Sequence, residues 1–267
     1  MFRNWDMYAY RARVAHDAIG AIVHPIAAAL LLNTQDNSTT AILLIAQEIV
    51  AFVAHVIYCL WHAQLEFIAV RAGKASGKRN SMKWLEYAIS ATLGTLAVLY
   101  AREGNEDWWW VLLLCSTCAS QQLIGYTLDQ PNQSKKNQWA NFFIAWLLQI
   151  CEFLVIVFAD DNVSSTEARY SLRVVYIIAW SLFGVLAFID LLQDADTRFS
   201  ASWNDTIEAM YACLSWTSKL SVVTLSVYPK WYVAALVLLF GKGTAIATWL
   251  LIRQHNRNQD SNNRLFA

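Results

Sequence analysis

The chain has 267 residues, of which 57% are hydrophobic and 15% charged, with a formal net charge of zero. A soluble domain averages about 45–50% apolar and 25% charged residues, so the composition is that of a membrane protein. Zero net charge excludes a strong overall field toward nucleic acid or an anionic partner.

Eight apolar runs are long enough to span a bilayer, which takes about 20 residues. They lie at 14–32, 41–70, 82–101, 108–128, 139–159, 171–193, 206–228 and 231–252, the last two parted by Pro229-Lys230. The expected fold is an all-α, polytopic transmembrane bundle. The polar, aromatic stretch Met1–Arg13 and the lack of a small-residue cleavage pattern make the first run a retained span. All five cysteines (Cys59, Cys115, Cys118, Cys151, Cys213) fall inside spans, where packing rather than disulfide bonding is expected.

Basic residues divide unevenly between the two sets of span ends. The set holding the N-terminus has fourteen: Arg3, Arg11, Arg13, Arg71, Lys74, Lys78, Arg79, Lys83, Lys135, Lys136, Arg198, Arg253, Arg257 and Arg264. The other set has only Arg102, Arg169, Arg173 and Lys230, and carries Asp36, Glu103, Glu106, Asp107, Asp160, Asp161 and Glu167. The positive-inside rule then places both termini in the cytoplasm, with the basic C-terminal tail arguing for the eighth span. Trp5, the run Trp108-Trp109-Trp110, Trp203, Trp231 and Tyr232 stand near span ends as interfacial anchors.

Charged and imidazole groups inside spans are the chemical signal. They comprise Lys219, Lys242, Glu86, Glu152, Asp190, Glu48, His24, His55 and His62. A charged side chain at a helix centre costs about 3 kcal/mol on insertion scales, so such residues line a cavity or pathway. Glu48 and Asp190, near span ends, also read as solvated boundary residues. His55 and His62 share a helix face at i,i+7 but lack a carboxylate or thiolate partner, a poor metal signature, and no metal is expected.

Lys219 and Lys242 compete as a reactive amine. Pairing with Glu86, or consumption of the amine as a Schiff base, removes the expense of burying Lys219. Ser215 lies one turn before Lys219 on the same face, and Tyr211, Trp180 and Trp216 offer aromatic walls for a long apolar ligand. No phosphate-binding glycine loop, nucleophile elbow or metal cluster is present, so no enzyme activity is expected.

The segment Lys83-Trp84-Leu85-Glu86-Tyr87-Ala88-Ile89-Ser90 resembles the third-helix motif of the heliorhodopsins, and Glu208, Tyr211, Leu214, Ser215 and Lys219 resemble their seventh-helix pattern. Val175-Tyr176, Ser181-Leu182-Phe183, Ala119-Ser120 and Gly125-Tyr126 add weaker matches, the whole covering about residues 14–228. The resemblance implies residues 1–228 as a seven-helix, rhodopsin-like domain, with 229–267 as an eighth helix and tail, and selects Lys219 over Lys242. It further implies all-trans retinal on Lys219 as a protonated Schiff base, Glu86 as counterion, and Ser90, Ser215, Tyr87, Trp180 and Trp216 around them. His24 and His62 match family histidines near the Schiff base, and Glu152 and Asp190 join them as candidate cavity or proton-relay groups. Departures from the family pattern are Lys83 for arginine, Ala88 for the first motif serine and Gly94 for a frequent methionine.

The implied function is a slowly cycling light sensor, with a light-gated proton channel as the alternative. Expected partners are the lipid bilayer, a second copy of the chain and a cytoplasmic signalling protein; nucleic acid is not expected.

Overall fold

The computed structural model describes residues 4–34, 38–72, 79–100, 108–158 and 167–227, with Val237 and Gly243 beyond them. Of residues 62–72 it describes the backbone alone, so the His62 side chain falls outside the described residues, as do Lys242 and the 231–252 span as a whole. The described elements are all helical: α1 (Asn4–Asn33), α2 (Thr39–Ala72), α3 (Met82–Tyr100), α4 (Trp108–Leu128), α5 (Lys135–Phe158), α6 (Glu167–Leu192), a four-residue α7 (Ala195–Arg198) and α8 (Ala201–Val227). Even α3, the shortest of the long helices with 19 residues, reaches about 28 Å at 1.5 Å per residue, close to the thickness of a hydrocarbon core.

Short polar residues set where several helices start. Ser38 Oγ accepts from Ala41 N at 3.2 Å before α2, Asn80 Oδ1 from Met82 N at 3.2 Å before α3, and Ser134 Oγ from Asn137 N at 3.2 Å before α5. Ser200 Oγ accepts from Trp203 N at 3.3 Å at the start of α8, and Asp194 caps α7 by accepting from Thr197 N at 2.8 Å. Each such cap contributes about 0.5–2 kcal/mol by satisfying an orphan amide. The Asp194 turn let α7 form between α6 and α8, an element that hydropathy alone does not reveal.

The seven long helices close into a ring in the packing order α1, α2, α3, α4, α5, α6, α8 and back to α1. Stretches of α1, α2, α4, α5 and α6 are long and apolar enough to cross a membrane on composition alone. α3 and α8 complete the ring with a larger polar share, since α3 carries Lys83 and Glu86 and α8 carries Asp205, Glu208 and Lys219. Apolar side chains such as Leu60 (67% exposed), Leu123 (66%) and Phe158 (69%) face outward, the surface that lipid covers. α8 is the reverse case. It is buried almost all round, polar residues included.

Five of the sequence-derived span limits start late or stop early. α1 begins at Asn4 rather than near 14, α5 at Lys135, α6 at Glu167 and α8 at Ala201, and α2 runs on to Ala72. Helices continue past the apolar run wherever the first or last turn can be capped or solvated, so hydropathy marks the membrane depth and not the helix end.

Candidate functional site

α8 brings Lys219 opposite the first turns of α3. The Lys219 ammonium is 3% exposed and donates to Glu86 Oε1 at 2.5 Å and to Ser215 Oγ at 2.9 Å. Ser90 Oγ donates to the same Glu86 oxygen at 2.6 Å, one turn along α3. Nζ also lies 5.4 Å from the Tyr87 ring centroid, within cation–π range. The other carboxylate oxygen of Glu86, Oε2, is buried without a partner among the described residues.

Lys219, with Ser90 and Ser215, sits on the wall of a cavity that Glu86 itself does not line. Its lining is mostly apolar with a few polar groups, the make-up of a small-molecule site. Trp84, Tyr87, Trp180, Phe183 and Tyr211 form its aromatic side, with Phe142 and Trp146 contributed by α5. The rings hold one another: Tyr87 and Phe183 meet edge to face at 5.5 Å, Trp84 and Tyr211 at 5.8 Å, and Phe183 stacks on Tyr211 at 6.2 Å. Two glycines make the room. A β-carbon on Gly125 of α4 would run into the Trp84 ring, and one on Gly184 of α6 would stand 2.6 Å from Trp146.

Trp216 takes a different place. It packs with Cys213 and Val23 on the side facing α1 and does not line the cavity, because one residue step from Ser215 turns about 100° around α8. Gly94, where the family often has methionine, touches the cavity only distantly. Its β-carbon would strike the Gln47 side chain of α2, and Trp180 is 3.7 Å away, so the glycine serves a close α2–α3 approach.

Two further groups of ionisable residues flank the Lys219 centre. Between α1 and α2, His24 Nδ1 is 2.5 Å from Glu48 Oε2, and Glu48 Oε1 accepts from Gln47 Nε2 at 3.2 Å. His24 stacks on His55 at 5.2 Å, and His55 Nδ1 lies 3.1 Å from Asp17 Oδ1. Glu48 and His24 are both 0% exposed. The reading of Glu48 as a solvated boundary residue is therefore corrected, and so is the reading of His55 as lacking a carboxylate. Depth along a helix does not tell which face looks inward. On another wall, Glu152 of α5 accepts from Thr95 at 3.0 Å and from the Tyr176 hydroxyl, and Tyr176 stacks on Trp180 at 4.4 Å. Two stacked rings, Tyr176 and Trp180, thus lead from Glu152 to the cavity.

Asp190 lies elsewhere, at the basic end of the bundle where α3, α5 and α8 begin. It is 3% exposed, not solvated, and accepts a two-pronged pair of bonds from Arg79 at 2.8 Å each, one from Arg198 Nε at 2.8 Å and one from Trp203 Nε1 at 2.7 Å. Trp203, expected from the sequence to be an interfacial anchor, thus donates to a buried carboxylate. Arg79 also binds Asp129 at 2.7 Å, and Lys83 bridges Asp129 at 2.7 Å and Glu208 at 2.5 Å. Three cations and three carboxylates thus neutralise one another. Burial by itself would raise the Asp129 carboxyl, but Lys83 and Arg79 outweigh it and hold the group down at about 2. The Arg79 guanidinium is pushed upward despite its burial by Asp190 and Asp129. Lys83, where the family has arginine, reaches both carboxylates as a single ammonium resting 4.7 Å from the Tyr211 ring, so a planar fork is not required there.

The heliorhodopsin family profile matches residues 21–230, most of the chain. The chain belongs to the heliorhodopsin family. It is therefore an integral membrane protein, a retinal-binding, light-sensing rhodopsin. No curated protein matches the sequence. Among heliorhodopsin residues the sequence motifs found the Lys219–Glu86–Ser90–Ser215 constellation but missed most of the cavity wall, including Gln121, Gln122, Trp146 and Gln149. The glutamines were a usable signal, since an amide inside an apolar span has to meet a partner or a cavity. Among the described residues no group of three His, Cys, Asp or Glu side chains could hold a metal.

Proposed function

We propose that this heliorhodopsin carries all-trans retinal on Lys219 as a protonated Schiff base, with Glu86 as counterion, and acts as a slowly cycling light sensor. The observation that supports the reading is a buried amine, 2.5 Å from a carboxylate, on a cavity walled by seven aromatic rings. The donor set fits the group: an amine to bond it, an anion for the resulting charge, and apolar walls for a polyene. When bound, the chromophore supplies light absorption and double-bond isomerisation.

The chain's own residues do the rest. Glu86 places negative charge beside Nζ, Ser90 fixes the carboxylate by donating to Oε1, and Ser215 accepts from Nζ on the other side. Tyr87, Trp180, Phe183 and Tyr211 exclude water and restrain the shape of the space, so a change in the occupant's length pushes on packed rings. Because those rings belong to α3, α6 and α8, the push biases the relative placement of these helices. The asymmetry of basic residues supports a cytoplasmic N-terminus and a cytoplasmic basic end.

Visible spectroscopy after expression with all-trans retinal tests the assignment. Wild type and Lys242→Ala give a pigment that responds to light, and Lys219→Ala gives none. A coloured Lys219→Ala protein overturns the site. Light-gated proton conduction is the second reading, favoured by the fully buried carboxylates Glu48 and Glu152 inside spans. Voltage-dependent photocurrents in membranes holding the pigment support conduction, and their absence supports the sensor.

A further inference from the structure

Gln121 of α4 and Gln149 of α5 meet on the cavity wall, and the Gln121 amide donates to Gln149 Oε1 at 2.5 Å. Their outer atoms, Gln121 Oε1 and Gln149 Nε2, are buried and have no partner among the described residues, and Gln149 is 4% exposed. Exchanging the amide oxygen and nitrogen of both side chains leaves the same remainder, one carbonyl and one amide NH₂. A buried polar group left without its bond is destabilising. Neither Gln122 of the same wall nor the Trp146 N–H bonds either atom. One group that both donates and accepts, a hydroxyl, would meet both atoms at once.

The place of the pair says which part of an occupant it would meet. α8, which holds Lys219, packs between α6 and α1, whereas α4 and α5 pack on each other and neither packs closely on α8. An occupant anchored on Lys219 and filling the cavity turns its far end, the ring end of a retinoid, toward the α4–α5 wall. Unsubstituted retinal carries only hydrocarbon there and leaves both amide groups unpaired.

Resting on the retinal reading of the cavity, we propose that Gln121 and Gln149 form a hydroxyl-recognition subsite that selects a retinal bearing a ring hydroxyl over unsubstituted retinal. Gln149 and Gln121 are specificity-determining residues in this reading, and neither touches Nζ. A subsite built to bond a hydroxyl rejects the analogue lacking it far more strongly than a hydrophobic pocket rejects a missing methylene.

The test offers the purified full-length chain equimolar all-trans-retinal and all-trans-3-hydroxyretinal, then extracts and quantifies the bound retinoids by chromatography. Wild type is expected to enrich the hydroxylated form about tenfold or more, equivalent to about 1.4 kcal/mol. Gln149→Leu and, separately, Gln121→Leu bring the ratio close to one while still forming pigment. Thermal unfolding gives an independent readout: the hydroxylated ligand raises the melting temperature above that with retinal in wild type and in neither variant. Equal incorporation by wild type overturns the subsite alone, as does enrichment that survives both substitutions. If neither retinoid forms a pigment with wild type, the Lys219 assignment falls and takes the subsite with it.

Discussion

Replacing Asp190 by Asn keeps the shape of the side chain and removes its charge from the point where Arg79, Arg198 and Trp203 converge. Four hydrogen bonds of 2.7–2.8 Å end on its two oxygens, and the residue is 3% exposed. Bonds to a charged group contribute about 1.5–3 kcal/mol each, but bonds that share partners do not add. Arg79 keeps Asp129 and the Arg198 carbonyl, and Arg198 keeps Gln138 and the Leu128 carbonyl. The loss is therefore that of one broken buried pair, about 3–5 kcal/mol. This amounts to two to three and a half powers of ten in the unfolding equilibrium, at about 1.4 kcal/mol per tenfold. Unfolding by sodium dodecyl sulfate in mixed micelles, followed by circular dichroism, measures it. Asp196→Asn, at an exposed position of α7, is the control and stays within about 0.5 kcal/mol. The visible band of Asp190→Asn stays near that of wild type, because Asp190 does not bond the Lys219–Glu86 pair. A loss under 1 kcal/mol refutes the view that this cluster clamps the basic end of the bundle.

Glu86→Gln removes the charge 2.5 Å from Lys219 Nζ, and the visible band shifts to the red or is lost, as an absorption spectrum will record; an unchanged spectrum assigns the counterion to another carboxylate. Because Asp129 is held at about 2 in the folded chain, its contribution is fully present above its unfolded value near 3.9 and is lost as pH falls through about 2. Unfolding midpoints that do not fall between pH 4 and 2 contradict this. Gly125→Ala drives a β-carbon into the Trp84 ring, and is expected to lower pigment yield or move the band at an expense of about 1–3 kcal/mol; an unaltered pigment would mean that the indole yields freely. An Asp260→Cys protein labelled from each side of intact cells reports the side of the C-terminal tail, expected to be cytoplasmic, and labelling from outside removes the eighth span.

The parts of this molecule legible in its sequence are those that depend on one coordinate, the depth in the membrane. Apolar runs located the seven long helices, and the depth of Lys219 and the local motif around Glu86 singled out two residues that lie 133 positions apart and meet at 2.5 Å. What stayed hidden depends on the angle around each helix. α8 is buried on nearly every side, so no apolar stripe indicated that Ser215 and Lys219 face the cavity while Trp216 faces α1. The same limitation made Glu48 and Asp190 look solvated. Arg79 meets Asp190 across 111 positions and Lys83 meets Glu208 across 125, pairings that ring closure creates and no local pattern announces.

Trp84 belongs to two of these neighbourhoods at once. Its ring lines the cavity, and its indole N–H donates to Asp129 at 2.5 Å in the basic cluster. An indole is rigid, so its two edges cannot move independently. Whatever displaces the cavity edge must stretch the bond to Asp129, which Lys83 and Arg79 also hold. The ring is thus a short mechanical linkage between a space shaped by its occupant and a charge cluster gathering α3, α4, α6, α7 and α8. Its throw is set by a single hydrogen bond, and a Trp84→Phe ring would keep the wall while disconnecting the linkage.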